Sequence, residues 1–206
     1  MLFDTLALIS LLFIIVIMKR FVGFLPIVSA CMLWWKENVN IDASLKVRRD
    51  RNLVALSLIL PFCLLATRLK LFYPDFLKDM SEAAALGITI AVFIGYMLIR
   101  EGISYAIRPR RIGSNIWHAA TTIEYTFFIP LVLTLLMVGG VMRLTPASVE
   151  TTKVAMFWLS GAIYAMFLFR KLQIFTSNCN LFSAFLYLCA LEILPTGVLI
   201  ASAVIF

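Results

Sequence analysis

Charged side chains are scarce in this chain. They make up 14% of its 206 residues, while 63% are hydrophobic, and the mean hydropathy is +1.00. A soluble domain is about half apolar and a quarter charged. The deficit excludes intrinsic disorder, a nucleic-acid-binding module and an ordinary soluble enzyme. Histidine occurs once, and the four cysteines (Cys31, Cys63, Cys179 and Cys189) form no C-x-x-C pair. Zinc ribbons and disulfide frameworks are therefore not expected. Cysteines placed singly in apolar runs behave as small hydrophobes. The Gly-rich phosphate loop and the G-x-S-x-G elbow are missing too. No metal site, cofactor or catalytic set is implied, and the expectation is a protein that is not an enzyme.

What the chain has instead is long apolar runs. A bilayer core takes about 20 helical residues to cross. Runs of that kind cover residues 2–18, 52–67, 83–107, 116–142, 152–169 and 181–206. They lack the polar/apolar alternation of an outer-membrane barrel. The first has no basic leader and no small-residue cleavage site and carries Asp4 near its start, so it reads as a retained span. The expected fold is all-α: a polytopic transmembrane helical bundle of six spans, one integral membrane domain over residues 1–206. Residues 21–35 are apolar but short, hold Gly23 and Pro26, and end in Trp34-Trp35-Lys36. That pattern suits the headgroup zone. It predicts an interfacial helix after the first span, or a bent continuation of it.

Basic residues set the orientation. Of the 18 Lys and Arg, thirteen fall in the first, third and fifth connections by position and five in the second and fourth. Cytoplasmic loops carry the excess of positive charge, so both termini are expected on the periplasmic side of a bacterial inner membrane. The longest polar stretch, residues 36–51, reads as a loop too short to form a domain. Its cluster Arg48, Arg49 and Arg51, and the later Arg108, Arg110 and Arg111, are candidates for contact with anionic lipid headgroups or an acidic partner. Topogenic charge alone also accounts for them. Arg100 and Glu101 read as a local surface pair. Residues 72–76, with Tyr73-Pro74 between Phe72 and Phe76, read as an interfacial segment on the outer face.

Two acids interrupt the apolar runs. Glu124 lies in the fourth and Glu192 in the sixth, and each precedes a proline, Pro130 and Pro195. Those two helices run in the same direction in the expected topology, which puts the acids at similar depth. A proline frees a carbonyl one turn back and bends the helix. A buried carboxyl resists ionisation unless a cation pairs with it. The pair is thus a candidate proton or cation site, or a hydrogen-bonded lock between helices. His118, six residues before Glu124, is a candidate relay, although six residues is not a same-face helical spacing. Gly87, Ala91 and Gly95, with Ala83, recur every four residues and are expected to be a helix-packing stripe.

The stretch Arg48-Arg-Asp-Arg-Asn-Leu-Val-Ala55, the segment around Tyr73-Pro-Asp75 and the end Phe185-Leu-Tyr-Leu-Cys-Ala-Leu-Glu-Ile-Leu-Pro195 together resemble an uncharacterised family of integral membrane proteins from the Bacteroidota. The most specific element is Leu-Glu-Ile-Leu-Pro. The resemblance implies an inner-membrane protein with a domain of unknown function and supplies no substrate or catalytic residue. The expected partners are the lipid bilayer and other membrane proteins or a second copy, with no nucleic acid. The leading expectation is a non-enzymatic accessory or assembly subunit of a membrane complex. The alternative is a small proton-coupled or cation carrier built on Glu124 and Glu192.

Overall fold

The computed structural model describes residues 2–70, 80–107, 113–144, 148–177 and 179–205. Arg108, Arg110, Arg111 and the Tyr73-Pro74 segment lie outside them. Among the described residues the secondary structure is helical throughout, with no strand. In chain order the helices are α1 (Leu2–Leu33), α2 (Trp35–Ala43), α3 (Leu45–Ser57), α4 (Ile59–Arg68), α5 (Glu82–Ala106), α6 (Ser114–Leu144), α7 (Val149–Thr176), α8 (Leu181–Leu188), a π-helical turn (Cys189–Ile193) and α9 (Leu194–Ile205). Five stretches are long and apolar enough to cross a membrane: Leu45–Arg68, Glu82–Ala106, Ser114–Met142, Val149–Thr176 and Leu181–Ala201. A sixth is present if Thr5–Val16 and Arg20–Leu33, which meet at 79°, form one broken span. The all-α, multi-pass bundle expected from the apolar runs is the fold observed.

Local sequence explains where the helices start and break. Ser81 and Ser148 cap α5 and α7, their side chains accepting from Ala84 N–H at 3.4 Å and Thr151 N–H at 3.1 Å. Glu82 and Glu150 follow in the first turns, where the helix dipole favours negative charge. The second span breaks between α3 and α4 because Pro61 has no N–H for the Ser57 carbonyl and its ring crowds that carbonyl. Leu58 N–H closes the end of α3 on the Val54 and Ala55 carbonyls.

Residues 36–51, expected as a polar loop, are helical. They form most of α2 and the first turns of α3, so the second span begins at Leu45 and carries Arg51 inside it. Residues 21–33 are the second limb of α1. Its Phe24, Val28 and Cys31 are buried against Ile41, Val54, Ala55, Leu58, Ile129 and Val132.

The centre of the bundle is α6, which packs on α1, α2, α3, α4 and α7. Its Trp117, Ala120, Ile123 and Phe127 recur every three to four residues, the spacing of one helical face. They join Ile163, Phe167, Ile174 and Phe175 of α7 in the main core. The outer surface stays apolar: Val16, Phe157 and Trp158 are 82%, 72% and 72% exposed. Large contiguous apolar surface is a liability in water and is what lipid solvates.

The small-residue stripe is not a packing surface within the chain. Gly87 and Ala91 are exposed, and a Cβ built on Gly87 or Gly95 meets nothing within 4 Å. The close glycine is Gly139, where a Cβ would lie 3.1 Å from Met156 Cε and 3.3 Å from Leu65 Cδ1. Spacing alone does not say which face of a helix is inside. On α5 the inward face carries Ala85, Leu86, Thr89 and Arg100.

Candidate functional site: a buried four-charge cluster

Glu124 and Glu192 sit well inside their helices, about 15 Å along α6 from Ser114 and about 16 Å from Leu181 at the helical rise. Arg100 lies about 9 Å back from the end of α5, and Lys171 about 8 Å back from the end of α7, by the same rise. The two bases are shallower than the acids, and their long side chains reach inward to meet them. Arg100 donates to one carboxylate oxygen of Glu192 through Nε at 3.0 Å and Nη2 at 2.6 Å. Its Nη1 pairs with Glu124. Lys171 Nζ pairs with the same oxygen of Glu192. Two acids and two bases from four segments thus form one cluster, its formal charges balanced.

The cluster is shielded from solvent. Arg100 is 6% exposed, while Lys171 and Glu192 are each 1% exposed. Glu124 is the looser member: its side chain is 20% exposed and its ion pair is to Arg100. Glu192 by contrast accepts from three donors on two side chains. Sequence position alone puts Arg100 in a surface pair with Glu101 and Lys171 among the basic residues of the fifth connection. The apolar run around residue 160 stops at Phe169, yet α7 continues to Thr176 and buries Ile174 and Phe175. Lys171 also lies over the rings of Phe167 and Phe175, at 5.6 and 6.0 Å. Glu101, next to Arg100, is exposed. Reading the apolar spacing on past Phe169 to Ile174 and Phe175 would have drawn Lys171 into the helix.

The backbone at Glu192 is special. Residues Cys189–Ile193 form a π-helical turn, with Leu194 N–H bonding the Cys189 carbonyl. Pro195 cannot donate to the Leu191 carbonyl, and a wider turn relieves the ring's clash there. Two tyrosines hold this segment. Tyr164 of α7 donates its hydroxyl to the Glu192 carbonyl at 3.3 Å. Tyr96 of α5 and Thr196 share a hydrogen bond of 2.9 Å between their hydroxyls. By contrast α6 runs through Pro130 without interruption.

Two pockets meet at the cluster. Arg100, Glu124 and Glu192, with Met97 and Tyr125, line both. One is about 180 Å³ and mainly aromatic, walled by Phe62, Phe93, Phe127, Phe128, Phe167, Tyr96 and Tyr164. The other is about 230 Å³ and polar, lined by Glu101, Ser104, His118, Thr121, Thr122 and Lys171. His118 therefore shares a pocket with Glu124, while its ionic contact is elsewhere. Its Nδ1 lies 3.5 Å from Asp42 Oδ2.

Asp42 is the centre of a second buried group. It pairs with Arg51 Nη1 at 3.0 Å and accepts from the Thr122 hydroxyl at 2.6 Å. Arg51 is 1% exposed, so it does not face lipid headgroups; it joins α3 to α2 through Asp42, which in turn binds α6 through Thr122. Arg48 is half-buried and Arg49 exposed. Asn38 adds a bond from its side-chain amide to the Cys31 carbonyl at 2.9 Å, and Arg170 Nε donates to the Met32 carbonyl, also at 2.9 Å. No group of three or more His, Cys, Asp or Glu able to hold a metal occurs among the described residues.

The fold and this centre define a multi-pass membrane protein with a charge-balanced polar core. No family model, curated protein or solved structure matches the chain.

Proposed function

We propose that the chain is a small proton-gated carrier of a bacterial inner membrane and that the four-charge cluster is its gate. The observation that carries this reading is the meeting of two pockets at Arg100, Glu124 and Glu192. Intramembrane ionisable groups are costly and are functional-site candidates by default. Protonating Glu124 removes its charge and releases one edge of the Arg100 guanidinium. Glu192 keeps Arg100 and Lys171 in place through its three donors. Glu124 is thus the switching acid and Glu192 the fixed counter-ion. The polar pocket with His118, Thr121 and Thr122 is the proton's approach. The chain's own Arg100 and Lys171 already neutralise the acids, which leaves no net negative charge to hold a free cation.

The gate is read with a cysteine at Met97, a residue that lines both pockets. Maleimide reactivity of Met97→Cys in a background lacking the native cysteines is measured against pH and normalised to the same cysteine in unfolded chain. The normalised rate rises as pH falls, and Glu124→Gln holds it high at every pH. A flat wild-type profile refutes the gate.

An accessory-subunit reading is favoured by one observation, the balance of two acids against two bases, which is what a static lock requires. In that case both Glu→Gln variants keep wild-type growth per folded chain, and any loss shows only in folded yield. The orientation with both termini periplasmic rests on the basic residues. Three of the thirteen in the odd connections (Arg51, Arg100 and Lys171) are buried inside the bundle, and the excess survives their removal. Membership of the Bacteroidota family remains a proposal resting mainly on Leu191-Glu-Ile-Leu-Pro195.

A further inference from the structure

Resting on the carrier reading, we propose that the aromatic pocket binds a monocarboxylate with one aromatic ring, whose carboxylate takes the place of Glu124 on Arg100. Three features of the pocket define this class. The first is size. The pocket is about 180 Å³, and an apolar cavity of about 150 Å³ holds one benzene. One ring with a small substituent fills a space of that size.

The second is the wall. Phe62, Phe93 and Phe128 form a mutually tilted trio with centroids 5.5–5.6 Å apart, and Phe127 and Phe167 face the same space. Such walls offer ring edges and faces to a flat apolar guest. The third is the single cation at the polar end. Arg100 is the one basic residue among those lining this pocket, while Lys171 lines the other. A guanidinium matches a carboxylate with two parallel hydrogen bonds. Its edge toward Glu192 is already used, and its Nη1 edge is held by the partly exposed acid. A proton arriving on Glu124 gives a neutral carboxylic acid, and the ligand's carboxylate then replaces that acid's charge on Arg100. One proton and one monoanion enter together, so the buried cluster stays balanced throughout.

The test uses the purified full chain in nanodiscs, with benzoate, benzamide and acetate as probes and calorimetry as the readout. Benzoate binds at least tenfold tighter than uncharged benzamide or ringless acetate, and tighter as pH falls from 8 to 6. Ala55→Leu, which projects three carbons into this pocket, weakens benzoate at least tenfold. Ile59→Trp is the second filling variant should Ala55→Leu fail to fold. Glu124→Gln binds benzoate more tightly and without pH dependence.

Equal binding of benzamide and benzoate overturns the proposal, as does unchanged binding in a folded pocket-filling variant. Persistence of the pH dependence in Glu124→Gln overturns the displacement of that acid. The Met97→Cys labelling needs no ligand. A pH-dependent gate with no benzoate binding therefore refutes the cargo and leaves the carrier standing, while a flat labelling profile refutes the carrier itself.

Discussion

Replacing Glu192 with leucine removes the acid that holds the cluster together. The carboxylate is buried and accepts from Arg100 Nε at 3.0 Å, Arg100 Nη2 at 2.6 Å and Lys171 Nζ. In Glu192→Leu the Lys171 ammonium, itself 1% exposed, has no acid beside it, and Arg100 keeps Glu124 alone. Breaking a buried pair by deleting one member costs about 3–5 kcal/mol, because the remaining charge is left uncompensated. That is a large share of a total stability of about 5–15 kcal/mol. Glu192→Gln keeps an acceptor oxygen for the donors but still leaves the Lys171 charge uncompensated, so it avoids only part of that loss. The double variant Glu192→Leu with Lys171→Met replaces both partners by apolar groups of similar length, and such replacement is often neutral. It recovers most of the loss. The assay is reversible unfolding in mixed micelles, with folded yield as a second readout. The order of stability is wild type, then the double variant and Gln, then Leu. A Glu192→Leu variant as stable as wild type would refute the pairing, and a double variant no better than Glu192→Leu would show that Lys171 is not the stranded charge.

Other expected outcomes follow from the same geometry. Asp42→Ala strands the buried Arg51 guanidinium and unfolds about 3–5 kcal/mol more easily, whereas Arg49→Ala, on an exposed face, leaves the unfolding curve within about 0.5 kcal/mol of wild type. Gly139→Val overfills the contact with Met156 and Leu65 and costs about 1–3 kcal/mol, while Gly95→Leu, which meets open space, leaves the thermal midpoint unchanged. In a cysteine-free chain, a cysteine at Glu150 is labelled from the periplasmic side and one at Asn115 is protected; the reverse pattern inverts the proposed orientation.

The acids were visible in the sequence and their partners were not. A carboxylate in an apolar run is anomalous wherever the run folds, so Glu124 and Glu192 stand out without any structure. Arg100 and Lys171 sit near the ends of their runs, where bases are ordinary. Only the extension of α7 to Thr176, and the reach of both side chains toward the interior, turn them into partners. Asp42 and Arg51 were hidden for a related reason. Residues 36–51 are polar enough to read as a loop, yet they form helices whose buried Asp42 and Arg51 neutralise each other, with Asp42 tied to α6 through Thr122.

The sequence by itself determined the solvent, the helical class and the approximate number of spans, because these depend on composition and run length, which are properties of the chain taken one segment at a time. Which face of each helix points inward is a relation between segments. The stripe Gly87, Ala91 and Gly95 has the spacing of a packing surface and lies outside, while Gly139, with no pattern around it, is in close contact. Tertiary structure alone decided that, and it alone brought four charges from α5, α6, α7 and the π-helical turn to one point between two pockets, where each is stable only because the others are there.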